Sequence, residues 1–213
     1  MLALDTTGDP ASLALIENGR LVDERIIESQ DGYAHVLHDH LRALLARHRW
    51  NIAGIGCFAA AAGPASFTGV RVGLAAVKGL AEVGGRPVVA VSNLRALAWF
   101  GSGPLRAAVI DARRGEIYGG VYDGSGRLVM PETVAPPPEW LASLPDVEFV
   151  TARPDQLRAM LAGTRHAESA IHAAPPLLAR AVGAIAFAEW VSGGAADPVA
   201  VDANYVRPWR PHS

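Results

Sequence analysis

Two aspartates, each closing a short apolar run, are the first residues with the type and position to do chemistry. Asp5 ends "MLALD" and is followed by Thr6 and Thr7; Asp111 ends "LRAAVID" and is followed by "ARRGEIY". A carboxylate at the end of a strand in each half of a chain can hold a metal ion or a water beside the phosphates of a nucleotide. The same aspartates can equally do no more than start a turn, and the residues alone leave both readings open. His35, His38 and His40 stand close together around Asp39. On a helix His35 and His38 share a face, so a metal pair is geometrically possible, while His40 points elsewhere. The H-E-x-x-H pattern of a zinc hydrolase is absent and no supporting carboxylate can be assigned. A solvated or partner-facing helix is therefore expected here, and no metal site.

The stretch "AAAAGPASFTGVRVGLAAVKGLAEV", residues 59–83, offers three further chemistries. A phosphate loop needs G-x4-G-K-[ST], with the lysine reaching the phosphates. Gly63 and Gly69 instead enclose five residues, and Val70-Arg71 follow, so spacing and lysine both fail. Ser66 is not in the G-x-S-x-G turn that presents a hydrolase serine, and no His or Asp can be assigned to it. A serine before an apolar helix satisfies an orphan backbone N–H as its N-cap; Ser66 and Thr68 are expected to do this after Gly63-Pro64 ends a strand. "GIGCFA" mimics a dinucleotide fingerprint but lies inside a strand rather than after one. Cys57 is the single cysteine, which excludes an internal disulfide and reads as a buried thiol. No catalytic residue emerges from spacing.

The elements that must position these groups follow from periodicity. "MLALD", "SLALIE" and "RLVDERIIE" are three strands, the last two joined across Asn18-Gly19, a pair that accepts positive φ at both turn positions. Val36, Leu37, Leu41, Leu44 and Leu45 fall at helical spacing within 34–48. "IGCFAAAA" is a buried strand, 68–83 a second helix, "PVVAV" a strand and "SNLRALAWF" a third helix. The pattern then restarts. "LRAAVIDA", "GEIYGGVYD" and "RLVMPETVA" are three strands, a Pro-rich joint opens a short helix, and "DVEFVTA", "PDQLRAMLAG" and "AESAIHA" continue as strand, helix and strand. A helix from Pro176 to Ser192 has Pro at its start and Gly just past its end. Two βββα halves in tandem predict two related α/β lobes: residues 1–101, with 176–192 packing back on them, and a smaller 102–175, followed by an extended tail 193–213.

Composition sets limits. Half the residues are hydrophobic, 19% are charged and the formal net charge is −2. That is ample core material and no surplus of cations for a strongly basic nucleic-acid binder. The opening "MLALDTTG" lacks the basic region of a signal peptide, and no run of 18 apolar residues exists, so a cytoplasmic chain with no membrane association is expected.

"ALDTT…ASLALIENGRL", "GPASFTGVRVG", "VIDARRGEIY" and "NYVR" occur in this order over essentially the whole chain. Together they resemble the bacterial TsaB (YeaZ) family. The resemblance implies a two-lobed actin-like (ASKHA: sugar kinase, Hsp70, actin) α/β fold, each lobe a mixed sheet with helices, the second lobe reduced. It implies a non-catalytic subunit that binds and activates a TsaD-type catalytic subunit for N6-threonylcarbamoylation of adenosine in tRNAs reading codons that begin with A. A TsaE-type ATPase joins the pair, tRNA is met only through the complex, and the chain alone forms a homodimer. ATP and Mg are used by the complex, with no cofactor held tightly by this subunit; Asp5, Thr6, Thr7 and Asp111 become a vestigial nucleotide cleft. Ala65 stands where the family usually has Gly, and Ala203 where it usually has Pro.

The expected partner surface is made of Val36, Leu37, His40, Leu41 and Leu44 on the first helix and Gly69, Val72, Gly73, Ala76 and Val77 on the second. Gly69 and Gly73 are four apart with Ala76 a turn on, and side chains this small let another helix approach closely. Gly63, Pro64, Ser66, Phe67, Thr68 and Arg71 form the motif loop before it. Two other readings compete: a small ATP-dependent enzyme of the same superfamily using Asp111, and a direct RNA binder using Tyr205, Arg207, Trp209 and Arg210.

Overall fold

The computed structural model describes residues 1–207. They group into two units, one of residues 1–93 and 176–204, the other of residues 94–175 and 205–207. In the first unit β1 (Leu2–Asp5), β2 (Ala11–Glu17) and β3 (Arg20–Ile27) form the antiparallel meander, and β4 (Phe58–Ala61) and β5 (Val88–Val91) add parallel strands, in the order β3-β2-β1-β4-β5. Asn18 and Gly19 have φ of 50° and 76°, so the hairpin turns as its Asn-Gly pair dictates. In the second unit β6 (Leu105–Arg113), β7 (Glu116–Asp123), β8 (Leu128–Ala135), β9 (Glu148–Thr151) and β10 (Ile171–Ala173) pair in the order β10-β9-β6-β7-β8. Counted from its own first strand, each sheet has the topology 3-2-1-4-5. The two βββ openings in the sequence are thus a true duplication, and each half is the mixed α/β unit of an actin-like fold.

The helices are α1 (Leu37–Arg47), α2 (Phe67–Gly84), α3 (Asn93–Ala98), α4 (Pro137–Ser143), α5 (Pro154–Leu161) and α6 (Ala179–Val191). Strand side chains alternate between two faces, and the first sheet uses both. Leu2, Leu4, Leu13, Leu15 and Phe58 pack with Leu37, Leu41, Leu44, Val70, Leu74 and Val77 of α1 and α2. The other face is closed by α6, whose Gly183 lies so near the sheet that an added Cβ would stand 2.5 Å from Ile16 and 3.2 Å from Ala3. In the second unit Trp140, Leu141, Leu157 and Leu161 of α4 and α5 bury Val109, Val121 and Phe149.

Boundaries differ from the sequence reading in three places. Residues Tyr33–His35 form a 3-10 turn, entered from Gly32 at φ of 88°, and α1 begins only at Leu37. The last helix begins at Ala179 instead of Pro176. Its free N–H groups find acceptors only from Leu178 onward: Leu178, Ala179 and Arg180 donate to Asp5 Oδ2 (3.1 Å), Ser12 Oγ (3.2 Å) and Glu24 Oε1 (3.3 Å). The strand expected over 167–173 keeps only Ile171–Ala173, since Arg158 ties down the carbonyls of Ala167 and Ser169 in a turn. Residues 193–204 carry little regular structure and lie on the first unit. Ala196 pairs with Val88 at the β5 edge, Lys78 donates to the carbonyl of the buried Val201 at 2.9 Å, and Asn204 N donates to Ala62 O at 2.8 Å. Among the described residues no helix is long and apolar enough to cross a membrane.

Candidate functional site

β4 delivers the chain to Gly63 with φ of 95° and a cis peptide to Pro64. An added Cβ at Gly63 would meet the Asn204 carbonyl oxygen at 3.1 Å, so glycine is required by both conformation and space. Asn93 holds the turn: its Oδ1 accepts from Gly63 N and its own N–H donates to Gly63 O, both at 2.8 Å. Ser66 is the N-cap of α2, its Oγ accepting from Gly69 N at 3.4 Å. Thr68, which shared that expectation, lies within the first helical turn. Phe67 is 54% exposed, with the Arg71 guanidinium 3.7 Å above its ring.

Behind this loop sits Asp5, fully buried. Its Oδ1 accepts from Thr7 N (2.9 Å) and Thr7 Oγ1 (2.5 Å), and its Oδ2 accepts from Leu178 N. Asn93 Nδ2 donates to Thr7 Oγ1 at 2.6 Å, and Thr6 Oγ1 donates to Gly69 O at 2.7 Å. Burial pushes the Asp5 pKa up, against the opposing pull of those hydrogen bonds. Asp5 thus joins β1, the motif loop and the start of α6, with neither oxygen exposed to solvent. Asp111, in the second unit, is exposed and accepts from Arg113 N at 2.8 Å. Both aspartates make the same contact with the N–H two residues on, the turn-starting role that competed with the metal reading.

The small-residue face of α2 is corrected. An added Cβ at Gly69 would stand 2.3 Å from Thr6 O, and one at Gly73 2.6 Å from Thr6 Oγ1. These glycines let α2 lie on the end of β1; they face no partner. Val77, Leu37, Leu41 and Leu44 are likewise buried in the unit's own core. Val36, His40, Val72 and Ala76 are half-buried. The open side of α2 instead carries Phe67, Arg71, Ala75, Gly79 and Val83, and an added Cβ at Gly79 would meet nothing within 4 Å.

The histidines separate. His35 and His38 are exposed, and His40 Nδ1 accepts from Arg25 Nε at 2.9 Å. Among the described residues no group of three His, Cys, Asp or Glu is placed to hold a metal. His48 Nε2 lies 2.7 Å from Asp23 Oδ2; that hydrogen bond is the chief cause holding the Asp23 carboxyl below its ordinary pKa. Cys57 is buried, and burial pushes its thiol up to about 11. Trp209 and Arg210 lie outside the described residues. Sequence reasoning missed the roles of Asn93, Ser12 and, although it opens the "NYVR" string, Asn204; their partners are 30 to 167 residues away.

A family model described as TsaD, tRNA N6-adenosine threonylcarbamoyltransferase, matches residues 27–158. The chain is 32% identical over 126 residues to the tRNA threonylcarbamoyladenosine biosynthesis protein TsaB of Escherichia coli, covering 57% of this chain and 54% of that one. It is 30% identical over 149 residues to the TsaB of Bacillus subtilis, covering 68% and 65%. The chain thus spans roughly half to two thirds of the length of these curated relatives. YeaZ from Pseudomonas aeruginosa superposes with a TM-score of 0.80 at 29% identity, over 96% of this chain and 98% of that one.

Proposed function

We propose that this chain, a member of the TsaB (YeaZ) family within the wider group that the TsaD model describes, takes part in threonylcarbamoyladenosine biosynthesis as a non-catalytic subunit. It binds and activates a TsaD-type catalytic subunit for N6-threonylcarbamoylation of adenosine in tRNAs reading codons that begin with A, in the cytoplasm. A TsaE-type ATPase joins the pair. ATP and Mg are used by the complex, this subunit holding no cofactor tightly, and tRNA is reached through the complex.

The observation that carries the reading is Asp5. The carboxylate placed to serve a metal in the first unit spends both oxygens on Thr7 and on the N-terminus of α6. Fully buried, that carboxylate exposes neither oxygen to an ion or a nucleotide in solvent. The open side of α2 supplies the docking surface: Ala75 and Gly79 leave room for a facing helix, flanked by Val72, Ala76 and Val83. With no catalytic subunit present, the same side pairs with its own copy, since a two-fold contact uses one patch twice.

Gly79→Leu tests the surface. The variant should fold, because Gly79 is exposed and a Cβ added there meets nothing within 4 Å, yet bind the catalytic subunit at least ten-fold more weakly in a titration. Undiminished binding would place the interface elsewhere. The competing enzyme reading is tested by incubating the isolated chain with ATP and Mg²⁺; sustained hydrolysis without a partner would overturn the non-catalytic assignment.

A further inference from the structure

The turn between β6 and β7 carries two consecutive arginines, Arg113 and Arg114, in the sequence Ala112-Arg113-Arg114-Gly115-Glu116. Their φ angles are 65° and 56°, followed by 77° at Gly115. A tight hairpin with positive φ at its central positions favours Asn or Gly; a long side chain held there is an unfavourable local choice. The turn is nonetheless well fixed. Arg113 pairs with Glu116 across the ladder, and Asp111 Oδ1 accepts from Arg113 N at 2.8 Å. Both arginines are exposed, and neither guanidinium has a hydrogen bond or ion pair among the described residues.

The acid best placed to neutralise them is taken by a third arginine. Arg207 bonds Glu116 Oε2 at 2.8 Å and donates to Ala112 O at 3.1 Å, with its guanidinium 5.9 Å from the centre of the Tyr118 ring. The remaining carboxylate, Asp111, is occupied with the backbone of the turn. Counting Asp111, Arg113, Arg114, Glu116 and Arg207, the hairpin end carries +1 in a chain whose formal charge is −2. The cations at its tip are the ones left unpaired. Guanidinium forks bind phosphate through paired N–H donors, and two forks on one convex turn suit a phosphodiester backbone better than a small ligand that needs a pocket.

We infer that the β6–β7 hairpin tip is a phosphate-contacting finger that grips the RNA backbone through Arg113 and Arg114, with Arg207 holding the local carboxylate away from them. This rests on the subunit reading above, in which the complex acts on tRNA, and adds that this chain itself touches the RNA. The contact is sequence-independent, because phosphates position a nucleic acid without reading its bases.

The test is the double variant Arg113→Asn/Arg114→Asn, since asparagine tolerates the left-handed turn while removing the charge and the guanidinium fork. Binding to the catalytic subunit is measured first, by titration. Failure of the wild type to bind it would sink the subunit reading, and this inference with it. With pairing intact, fluorescence anisotropy of labelled tRNA on the complex should show about ten-fold weaker binding for the variant. The slope of log affinity against log salt should become shallower by about 1 to 2, from two lost phosphate contacts. Arg49→Asn, which removes another exposed arginine from a left-handed position, should leave both readings unchanged. Unchanged affinity and slope in the double variant would overturn the inference while leaving the subunit reading standing. An equal loss from Arg49→Asn would overturn it as a general charge effect. Binding of inorganic triphosphate that the double variant loses, with its tRNA affinity unchanged, would reassign the finger to a free phosphate ligand and overturn the RNA claim.

Discussion

At the residue scale, Asp5 shows how a side chain with catalytic potential is spent on architecture. Its carboxylate takes three hydrogen bonds in a site closed to solvent. Its pKa in the folded chain lies above the ordinary 3.8 because burial penalises the charge. A raised carboxyl pKa contributes stability that is fully present below 3.8 and is lost as pH rises through the folded-state value. Asp5→Asn cannot ionise and presents an amide where two donors converge, so it should cost about 1–3 kcal/mol at low pH. The gap between wild type and variant, measured by urea unfolding, should narrow as pH is raised from about 3.8. A gap that widens with pH would mean that the hydrogen bonds, not burial, dominate the carboxyl. Gly69 is the second residue to probe. With Thr6 O only 2.3 Å from its virtual Cβ, Gly69→Ala must push α2 off β1. The cost should be about 2 kcal/mol or more, read from the unfolding midpoint, even though alanine is the better helix former.

At the element scale, α2 joins a capped start to a left-handed stop. Ser66 supplies the N-cap, and Gly85, with φ of 58°, ends the helix with its N–H returned to the last turn. Between them lie two kinds of glycine that the sequence cannot tell apart. Gly69 and Gly73 are compulsory because a strand end presses on them; Gly79 is open. Gly79→Ala should therefore stabilise the isolated chain by about 0.5–1 kcal/mol, the usual gain at an exposed helical glycine. Calorimetry at a dilution that keeps the chain monomeric checks this, and a lower melting temperature there would show that the chain itself covers that side of the helix. α6 makes the complementary point. Its first N–H groups are capped by Asp5, Ser12 and Glu24, so the helix starts where the sheet provides acceptors rather than at its proline.

At the scale of the whole molecule, the last described residues belong to the fold of both units. Asn204 closes on the motif loop of the first, and Arg207 on the β6–β7 hairpin of the second. Removing residues 195–213 would strip Ala196 from β5, uncover Val88 and Pro198's site, and leave Gly63 without Asn204. The loss of the buried Val201 and Pro198 alone amounts to about 3 kcal/mol. The truncated chain should unfold at clearly lower urea concentration, while a full-strength transition would show that this segment contributes nothing.

Periodicity and turn chemistry determined most of the architecture. The alternation in β1 and β2, the Asn-Gly turn, the apolar stripe of α1 and the restart after residue 104 are local signals, and local signals survive in one dimension. The family likewise was legible, because its motif strings are contiguous. What only the tertiary structure decided is which face of each element looks inward. Gly69, Gly73, Leu41 and Val77 read as a partner surface because helical spacing shows that residues share a stripe but not what lies opposite it. The sequence left Asp5 undecided between an open carboxylate and a turn starter because its acceptor role depends on Leu178, 173 residues away. Burial and hydrogen-bond satisfaction are properties of pairs brought together by folding, and no window of sequence contains both members.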